Sequence, residues 1–303
     1  MSQKITEQVI EILACPNCVD TLVASERGAK CVGCNTNYSI SESGALDLRL
    51  QRPKNIQYEL ELGSKLLPTS GFRFDRLRVN SNPNVDFGSC VIPHHLSKEI
   101  VSYFPSAREN GDLMLDLGCG SALHKGICEH AGFEYVGLDY NSLDAPILGD
   151  AHALPFKDQS FSFILTIAVL EHIRFPFIMM KEAHRVLKTN GIIIGTVAFL
   201  EPFHDNSFYH HTHLGTYNSL REGGFDIEFI APSHKWSALV AQACMGLFPR
   251  MPYFLAKALV MPLFLMHRIW WKIGGLTRSG ASEEIRIVNT TGAFTFLARK
   301  RAD

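Results

Sequence analysis

The sequence predicts an α/β protein whose parallel sheet carries helices on both faces and is preceded by a small, separately stabilised module. Two observations predict the sheet. From Asp112 onward strand-like and helix-like stretches alternate, the pattern of a parallel sheet with helical crossovers. Within it the run Met114-Leu115-Asp116-Leu117 passes directly into the small-residue turn Gly118-Cys119-Gly120-Ser121-Ala122, as a strand buried on both faces does before a helix. A third observation, two Cys-x-x-Cys pairs near the N-terminus, predicts the module.

Cys15-Pro16-Asn17-Cys18 and Cys31-Val32-Gly33-Cys34 are separated by twelve residues. Two such knuckles bring four thiolates around one Zn²⁺ and replace the core that so short a segment cannot build. A redox Cys-x-x-Cys needs only one pair, in a βαβ setting. Tyr38 to Ile40 and Ala45 to Leu48 read as short strands that close a zinc ribbon over residues 1–50. The ribbon carries four basic and six acidic side chains, the wrong balance for gripping RNA. The whole chain is equally neutral, with 29 basic and 30 acidic side chains among 303 residues, 46% of them apolar. That composition argues against wholesale disorder and against a broad nucleic-acid-binding field. The N-terminus lacks the basic start and long apolar run of a signal peptide, and eight cysteines without one fit a reducing, cytoplasmic compartment.

Residues 51–110 read as a connector on the substrate side. Pro53, Pro68, Pro83 and Pro93 break it into short pieces, with helical spacing over Ile56 to Leu67 and His95 to Phe104. Arg73, Arg76 and Arg78 form a small basic cluster that reads as a solvated face.

The sheet domain spans 111–303. Gly118 and Gly120 remove Cβ atoms where the chain turns sharply or lies against a ligand. Asp116 sets a carboxylate at the end of the first strand, where ligands of open α/β sheets bind. The second strand, Glu134 to Tyr140, presents Asp139 about twenty residues past the turn, where an acid takes ribose hydroxyls. The third, Ile147 to Asp150, ends in another acid and runs into Ala151-His152-Ala153-Leu154-Pro155-Phe156. The fourth starts at Phe161 and finishes near Leu170-Glu171-His172. A helix from Pro176 to Leu187 and a turn at Lys188-Thr189-Asn190-Gly191 lead to the fifth, Ile192 to Val197. Asp226 to Ala231 and Gly292 to Ala298 make the sixth and seventh.

Together LDLGCG, the acid in VGLDY, GDAHALPF, the LEH after the fourth strand and the HRVLKTNG before the fifth resemble the class I S-adenosylmethionine (SAM) dependent methyltransferases of the small-molecule branch. The resemblance implies a Rossmann-like, seven-stranded sheet and SAM as methyl donor. It implies that Gly118 and Gly120 pack on the methionine part of SAM, that Asp139 binds the ribose, and that Asp150 faces the adenine. Asp116, Cys119, Tyr140 and Ala151 complete the expected cofactor contacts. The N-terminal ribbon resembles one that activates certain tRNA methyltransferases. Two departures stand out. Ala122 occupies the place of the family's third glycine, and Asp150 lies only eleven positions beyond Asp139. The helix that joins the second and third strands in the family does not fit there, so a loop is expected to close the adenine side. A dinucleotide oxidoreductase would need Gly-x-Gly-x-x-Gly, but Leu123 holds the last position.

In that family the acceptor sits over the C-terminal ends of the fourth and fifth strands. Here those are Glu171-His172 and the loop from Glu201 to His213, which holds four of the thirteen histidines beside Asp205, Phe208 and Tyr209. An alcohol acceptor needs its proton removed, which makes His204, His210, His211 and His172 the candidate bases, with Asp205 as an orienting group. The same histidines are open to a second metal, although spacing alone defines no site. The Asn-Pro-Pro-Tyr and Asp-Pro-Pro-Tyr signatures of amino-nucleobase enzymes are absent after the fourth strand, as is a Pro-Cys nucleophile.

Between the sixth and seventh strands, where the family has a short turn, lies an apolar basic insertion over 236–282. From Lys235 to Ser282 there are six basic side chains and no acidic one. At about 100° per residue, Arg250, Lys257, Arg268 and Lys272 fall within about 60° of one another. A narrow basic stripe, a wide apolar face and the pair Trp270-Trp271 read as a helix in a membrane interface. Its longest uncharged run, Trp236 to Pro249, is fourteen residues, too short to span. Pro249, Pro252 and Pro262 predict broken helices. A helical cap or a dimer interface is the other use of such a segment.

The whole plan resembles bacterial methyltransferases of surface-polysaccharide or glycolipid assembly. The expected activity is O-methylation of a hydroxyl on a lipid-linked sugar, glycolipid or other amphiphilic small acceptor, by an enzyme peripheral on the cytoplasmic membrane face. An rRNA or tRNA methyltransferase is the alternative within methyl transfer; a SAM-binding or scaffolding protein without turnover is the alternative outside it. The neutral charge argues against nucleic acid, and the oligomeric state is open.

Overall fold

The computed structural model describes residues 6–25, 27–57, 76–233, 235–277 and 283–301. Helix α1 (Glu7–Ile12) is capped by the Thr6 hydroxyl, which accepts from the Val9 N–H. Strands β1 (Leu22–Ser25), β2 (Gly28–Cys31) and β3 (Asn37–Ser39) follow as an antiparallel ribbon, with Leu22 opposite Cys31 and Ala29 opposite Tyr38. The next segment departs from expectation. β4 (Leu46–Asp47) closes on the ribbon through one antiparallel bridge, Ile40 opposite Leu46, and with the same residues joins the edge of the main sheet.

That sheet is built from β4, β5 (Leu113–Leu117), β6 (Glu134–Asp139), β7 (Ile147–Leu148), β8 (Phe161–Ile167), β9 (Leu187–Ala198), β10 (Asp226–Pro232) and β11 (Ala293–Arg299). Their spatial order is β10-β11-β9-β8-β5-β6-β7-β4, so the seven expected strands are present with an eighth added. β11 is antiparallel to both its neighbours; the remaining pairs are parallel. The extra strand has a physical reason. Without β4 the outer edge of β7 would end the sheet with unpaired main-chain groups, and an open edge invites unwanted pairing. Leu46 N–H donates to Pro146 O at 3.1 Å and Leu48 N–H to Leu148 O at 2.8 Å, which covers it.

Alternation along β5 sends Leu113, Leu115 and Leu117 to one face and Met114 to the other. The first face packs Met179, Met180 and Ala183 of α4 (Pro176–Val186). The second packs Ile100 and Val101 of α2 (Lys98–Val101) and Ile127 and Cys128 of α3 (Lys125–His130). Each fully buried leucine or phenylalanine contributes about 1.5–3 kcal/mol. Val9, Leu13, Tyr38 and Leu48 belong to the first layer too, so ribbon and sheet share one core. Main-chain bonds stitch them together: Ala14 N–H to Pro155 O at 2.9 Å and Lys157 N–H to Ile12 O at 2.8 Å. Arg185 fastens α4 to the same stretch through Leu154 O, Phe156 O and Asp158, and Glu182 of the same helix holds Arg185 and accepts from the Leu154 N–H.

Other differences are local. The spacing over His95 to Phe104 yields a single turn, α2, whose N-cap is Ser97. Most of Ile56 to Leu67, and Arg73, lie outside the described residues, while Arg76 pairs with Glu283 at 2.9 Å. The Lys188–Gly191 turn is absorbed into β9 as an irregularity between Phe161–Leu187 and Phe163–Ile192 pairing.

After α5 (His213–Glu222) and β10, the insertion begins with α6 (Ala238–Ala241) and a π-helical turn, Gln242–Leu247. It then forms α7 (Tyr253–Thr277), one helix of 25 residues running through Pro262, and α8 (Glu283–Thr290) returns to β11. Pro249 and Pro252 precede α7 instead of breaking it. The helix is about 37 Å long. By length and composition Tyr253–Leu276 can cross a membrane, so the shortness read from the earlier run does not apply to it. Its apolar side chains are turned outward: Leu259, Leu263, Met266, Trp270 and Leu276 are exposed, while Ala256 and Val260 anchor its start against Ala243.

Candidate active site

The order in which successive strands join the sheet reverses between β5 and β8, and ligands of open sheets bind at the strand ends flanking such a switch. Gly118 leaves β5 there at φ +79°, and a Cβ on it would lie 2.4 Å from Val169 Cγ2, just past β8. Glycine is therefore required. Gly120, at φ +51°, has open space where a Cβ would stand. Ala122 sits at φ +57°, a conformation that costs a non-glycine residue about 1 kcal/mol.

The turn is tied to β6. Gly118 and Cys119 N–H both donate to Leu138 O, and Gly120 N–H donates to Asp139 Oδ2 at 3.0 Å. Asp139 Oδ1 accepts from the Asn141 and Ser142 N–H groups, each at 2.9 Å. The carboxylate is thus fixed beside the glycine turn, with acceptor capacity left on Oδ2. Asp116 lies beneath, fully buried. Its Oδ2 accepts from the Tyr135 hydroxyl at 2.7 Å, and Oδ1 has no hydrogen-bond partner among the described residues. The Cys119 thiol is turned toward Gly137. Burial, then Asp116 and Asp139, push it well above the ordinary thiol range, which makes it an inert shaping residue.

Asp150 ends the β7 segment, with Oδ1 accepting from the His152 N–H at 2.9 Å and facing His152 Nδ1 at 2.6 Å. Burial opposes its charge, but these bonds outweigh it and hold the carboxyl below its usual range. Ala151 is buried behind it. The loop after β6 does not close this side alone. Arg49, just past β4 and paired with Asp47 at 2.6 Å, reaches Tyr140 O at 3.3 Å and lies over the exposed Tyr140 ring at 5.6 Å.

Beyond the ends of β8 and β9 the four candidate histidines separate. His211 is buried, with Nε2 3.4 Å from Leu170 O and its N–H donating to Ala198 O, and it is an anchor of the loop. His172 and His204 meet edge to face at 5.3 Å between ring centroids, and the exposed His210 stacks beyond His204 at 6.3 Å. Burial, then the neighbouring His204, lowers His172 and His210 below the ordinary imidazole range. Both are therefore neutral near pH 7 and able to accept a proton. Asp205 and Asn206, at φ +39° and +60°, make the tight turn that carries His204; Asp205 shapes the loop. His213 begins α5, which Thr212 caps.

Two residues escaped the sequence reading. Glu171 is 1% exposed, and neither carboxylate oxygen has a hydrogen-bond partner among the described residues. Burial, assisted by Glu201, raises its pKa to about 7. The LEH triplet contained it, but nothing in the sequence distinguishes this glutamate from a solvated one. His95 of the connector comes to the same region. Burial, then His94, His124 and His204, lowers it to about 4.

The ribbon brings Cys15, Cys18, Cys31 and Cys34 together, their sulfurs all within 4.8 Å of one another. Cys15–Cys34 and Cys18–Cys31 sulfurs stand 3.6 and 3.4 Å apart. A tetrahedron of thiolates about 2.3 Å from Zn²⁺ needs sulfur separations of about 3.8 Å. The Cys34 N–H faces Cys31 Sγ at 3.4 Å, and the Tyr38 hydroxyl lies 3.2 Å from Cys15 Sγ, supplying donors to the cluster. The four cysteines can hold zinc.

Residues 115–195 match the family model described as a methyltransferase domain. An uncharacterised protein of Methanocaldococcus jannaschii is 35% identical over 101 residues, covering 30% of this chain and 38% of that protein. A demethylmenaquinone methyltransferase of Staphylococcus haemolyticus is 32% identical over 103 residues, covering 28% and 42%. The chain thus spans about two-fifths of the length of these curated relatives. Among solved structures, a complex of the Haloferax volcanii Trm112 methyltransferase activator with a methyltransferase has a TM-score of 0.47 at 17% identity, covering 69% of this chain and 90% of that one.

Proposed function

Starting from a chain that carries a SAM-dependent methyltransferase domain, we propose an enzyme that O-methylates a hydroxyl of a lipid-linked sugar or another amphiphilic acceptor at the cytoplasmic membrane face. The turn Gly118 to Gly120, with the unpartnered Asp116 oxygen beneath it, suits the methionine part of SAM. Asp139 suits the ribose, while Asp150, Ala151 and Tyr140, with Arg49 from the ribbon side, border the adenine. Bound there, SAM supplies an electrophilic methyl on sulfonium, so the chemistry resides in the cofactor. The protein's part is to hold a hydroxyl oxygen in line and to take its proton. The exposed His210, neutral near pH 7, is the base in reach of that surface.

The observation that carries the acceptor reading is α7. A helix of 25 residues that turns leucines, methionines and tryptophan to the outside, with Lys257, Arg268 and Lys272 along it, suits an anionic membrane surface, where apolar burial and lysine or arginine attraction add. Flotation with vesicles containing anionic phospholipid tests this. The wild type should float, and a Lys257→Glu, Arg268→Glu, Lys272→Glu variant should not. A wild type that stays wholly in the soluble fraction would sink the membrane component. The acceptor is tested by mass spectrometry of membrane-lipid and polysaccharide extracts with and without the protein, searching for a one-methylene mass difference.

A further inference from the structure

We propose that Glu171, His172 and His204 form a second metal site, a carboxylate and two imidazoles that bind a divalent transition-metal ion beside the cofactor turn. One ligand atom from each lies within 4.8 Å of the others. The strongest argument is what the cluster lacks. Both Glu171 oxygens and His172 Nδ1 are buried without hydrogen-bond partners among the described residues. A buried carboxylate left so is costly, and buried polar atoms in folded proteins almost always find partners. A cation supplies the missing partner to all three atoms at once.

The surroundings are arranged as those of metal ligands are. His204 Nδ1 stands 3.1 Å from Pro202 O. A proton there leaves Nε2 with its lone pair, the usual way a backbone carbonyl orients a ligating histidine. The turn at Asp205-Asn206 fixes the loop behind it, and Ser207 N–H donates to His204 O at 2.9 Å. Phe208 and Tyr209 N–H groups both bond Glu171 O, which locks loop and strand end together. The Glu201 carboxylate is engaged by Trp236 Nε1 at 2.8 Å and stands as an outer acid. The donor set of one carboxylate and two imidazoles suits Zn²⁺, Fe²⁺, Co²⁺ or Ni²⁺ and leaves coordination positions open. It differs from the ribbon's thiolates, which take a closed structural zinc.

The location assigns the ion a task, and this part rests on the O-methylation reading. Leu170–His172 follows Val169, whose side chain packs against Gly118 of the cofactor turn. A hydroxyl taken into an open position becomes more acidic. Its O–H bond breaks with the proton leaving through the exposed His210 to water. The oxygen then bonds to the methyl carbon as the C–S bond breaks, its electron pair remaining on sulfur. No oxidant or reductant enters.

The test titrates Co²⁺ into the full-length protein with its ribbon filled by zinc, without SAM or acceptor, following visible absorption and binding heat. One ion per chain is expected, with weak ligand-field bands and no intense thiolate charge-transfer band, which would signal exchange into the ribbon. Glu171→Gln and His204→Ala should each weaken binding by roughly tenfold or more. His204 lies on a half-buried loop, so its variant stays informative if Glu171→Gln does not fold. Absence of binding outside the ribbon, or binding unchanged in the His204 variant, overturns the site. Because metal binding is read without acceptor, methyl transfer to a hydroxyl with no metal bound would overturn this inference alone. Metal bound by a protein that methylates RNA would overturn the acceptor reading and leave the site standing.

Discussion

Replacing Gly120 with alanine separates holding the fold from holding the cofactor. The structure shows nothing within 4 Å of the added methyl and a backbone at φ +51°. The fold therefore pays only for the left-handed conformation, about 1 kcal/mol. The neighbouring Gly118→Ala adds that strain to an overlap with Val169 Cγ2 at 2.4 Å; overpacking costs about 1–3 kcal/mol, so about 2–4 kcal/mol in total. If the space at Gly120 is where SAM lies, its methyl group should cost at least about tenfold in SAM affinity, or about 1.4 kcal/mol. Urea denaturation gives the stability change and isothermal titration with SAM gives the affinity. Gly120→Ala should be nearly as stable as the wild type yet a poor binder, and Gly118→Ala clearly less stable. A Gly120→Ala protein that binds SAM at full strength would refute the assignment of this turn to the cofactor.

Three further outcomes follow from named residues. Ala122→Gly should stabilise the protein by about 1 kcal/mol by relieving the strain at φ +57°, as read by urea denaturation; a loss of stability would show that the alanine methyl is worth more than the strain. Glu171 has its folded pKa raised from 4.5 to about 7, so its contribution is complete below pH 4.5 and is lost as pH rises through about 7. That amounts to about 3 kcal/mol in the protein without metal in this site, and Glu171→Gln should flatten this part of the stability profile and exceed the wild type above pH 7; parallel profiles would contradict the burial. Stripping zinc from the ribbon should release β4 and Arg49 and weaken SAM binding measured by titration, because ribbon and sheet share one core; unchanged affinity would make the ribbon a bystander.

What the sequence disclosed was chemistry written locally. The strand, the glycine turn and Asp139 are close neighbours whose spacing reflects one β-α-β unit, and the two Cys-x-x-Cys knuckles announce their cluster by spacing alone. β4 was legible as a strand but its place in the main sheet was not, because Leu46 and Asp47 find those partners about a hundred positions downstream, along the outer edge of β7. Arg49 was hidden for the same reason. Glu171 and His211 are invisible in composition, since their meaning lies in burial, which tertiary packing decides. In α7 the helical spacing and basic stripe were readable, but the prolines misled. Pro249 and Pro252 lie before its first turn, and the helix runs on through Pro262, which sits on an exposed face.

The central claim is that this chain moves a methyl group from SAM to a hydroxyl on an amphiphilic acceptor. The most direct test incubates the protein with methyl-labelled SAM and separate lipid, lipid-linked glycan and RNA fractions. The label should appear in the glycan or lipid fraction as an alkali-stable ether and, at limiting SAM, should fall at least about tenfold with Gly120→Ala. Label in RNA, or none in any fraction from a protein that binds SAM, would contradict it.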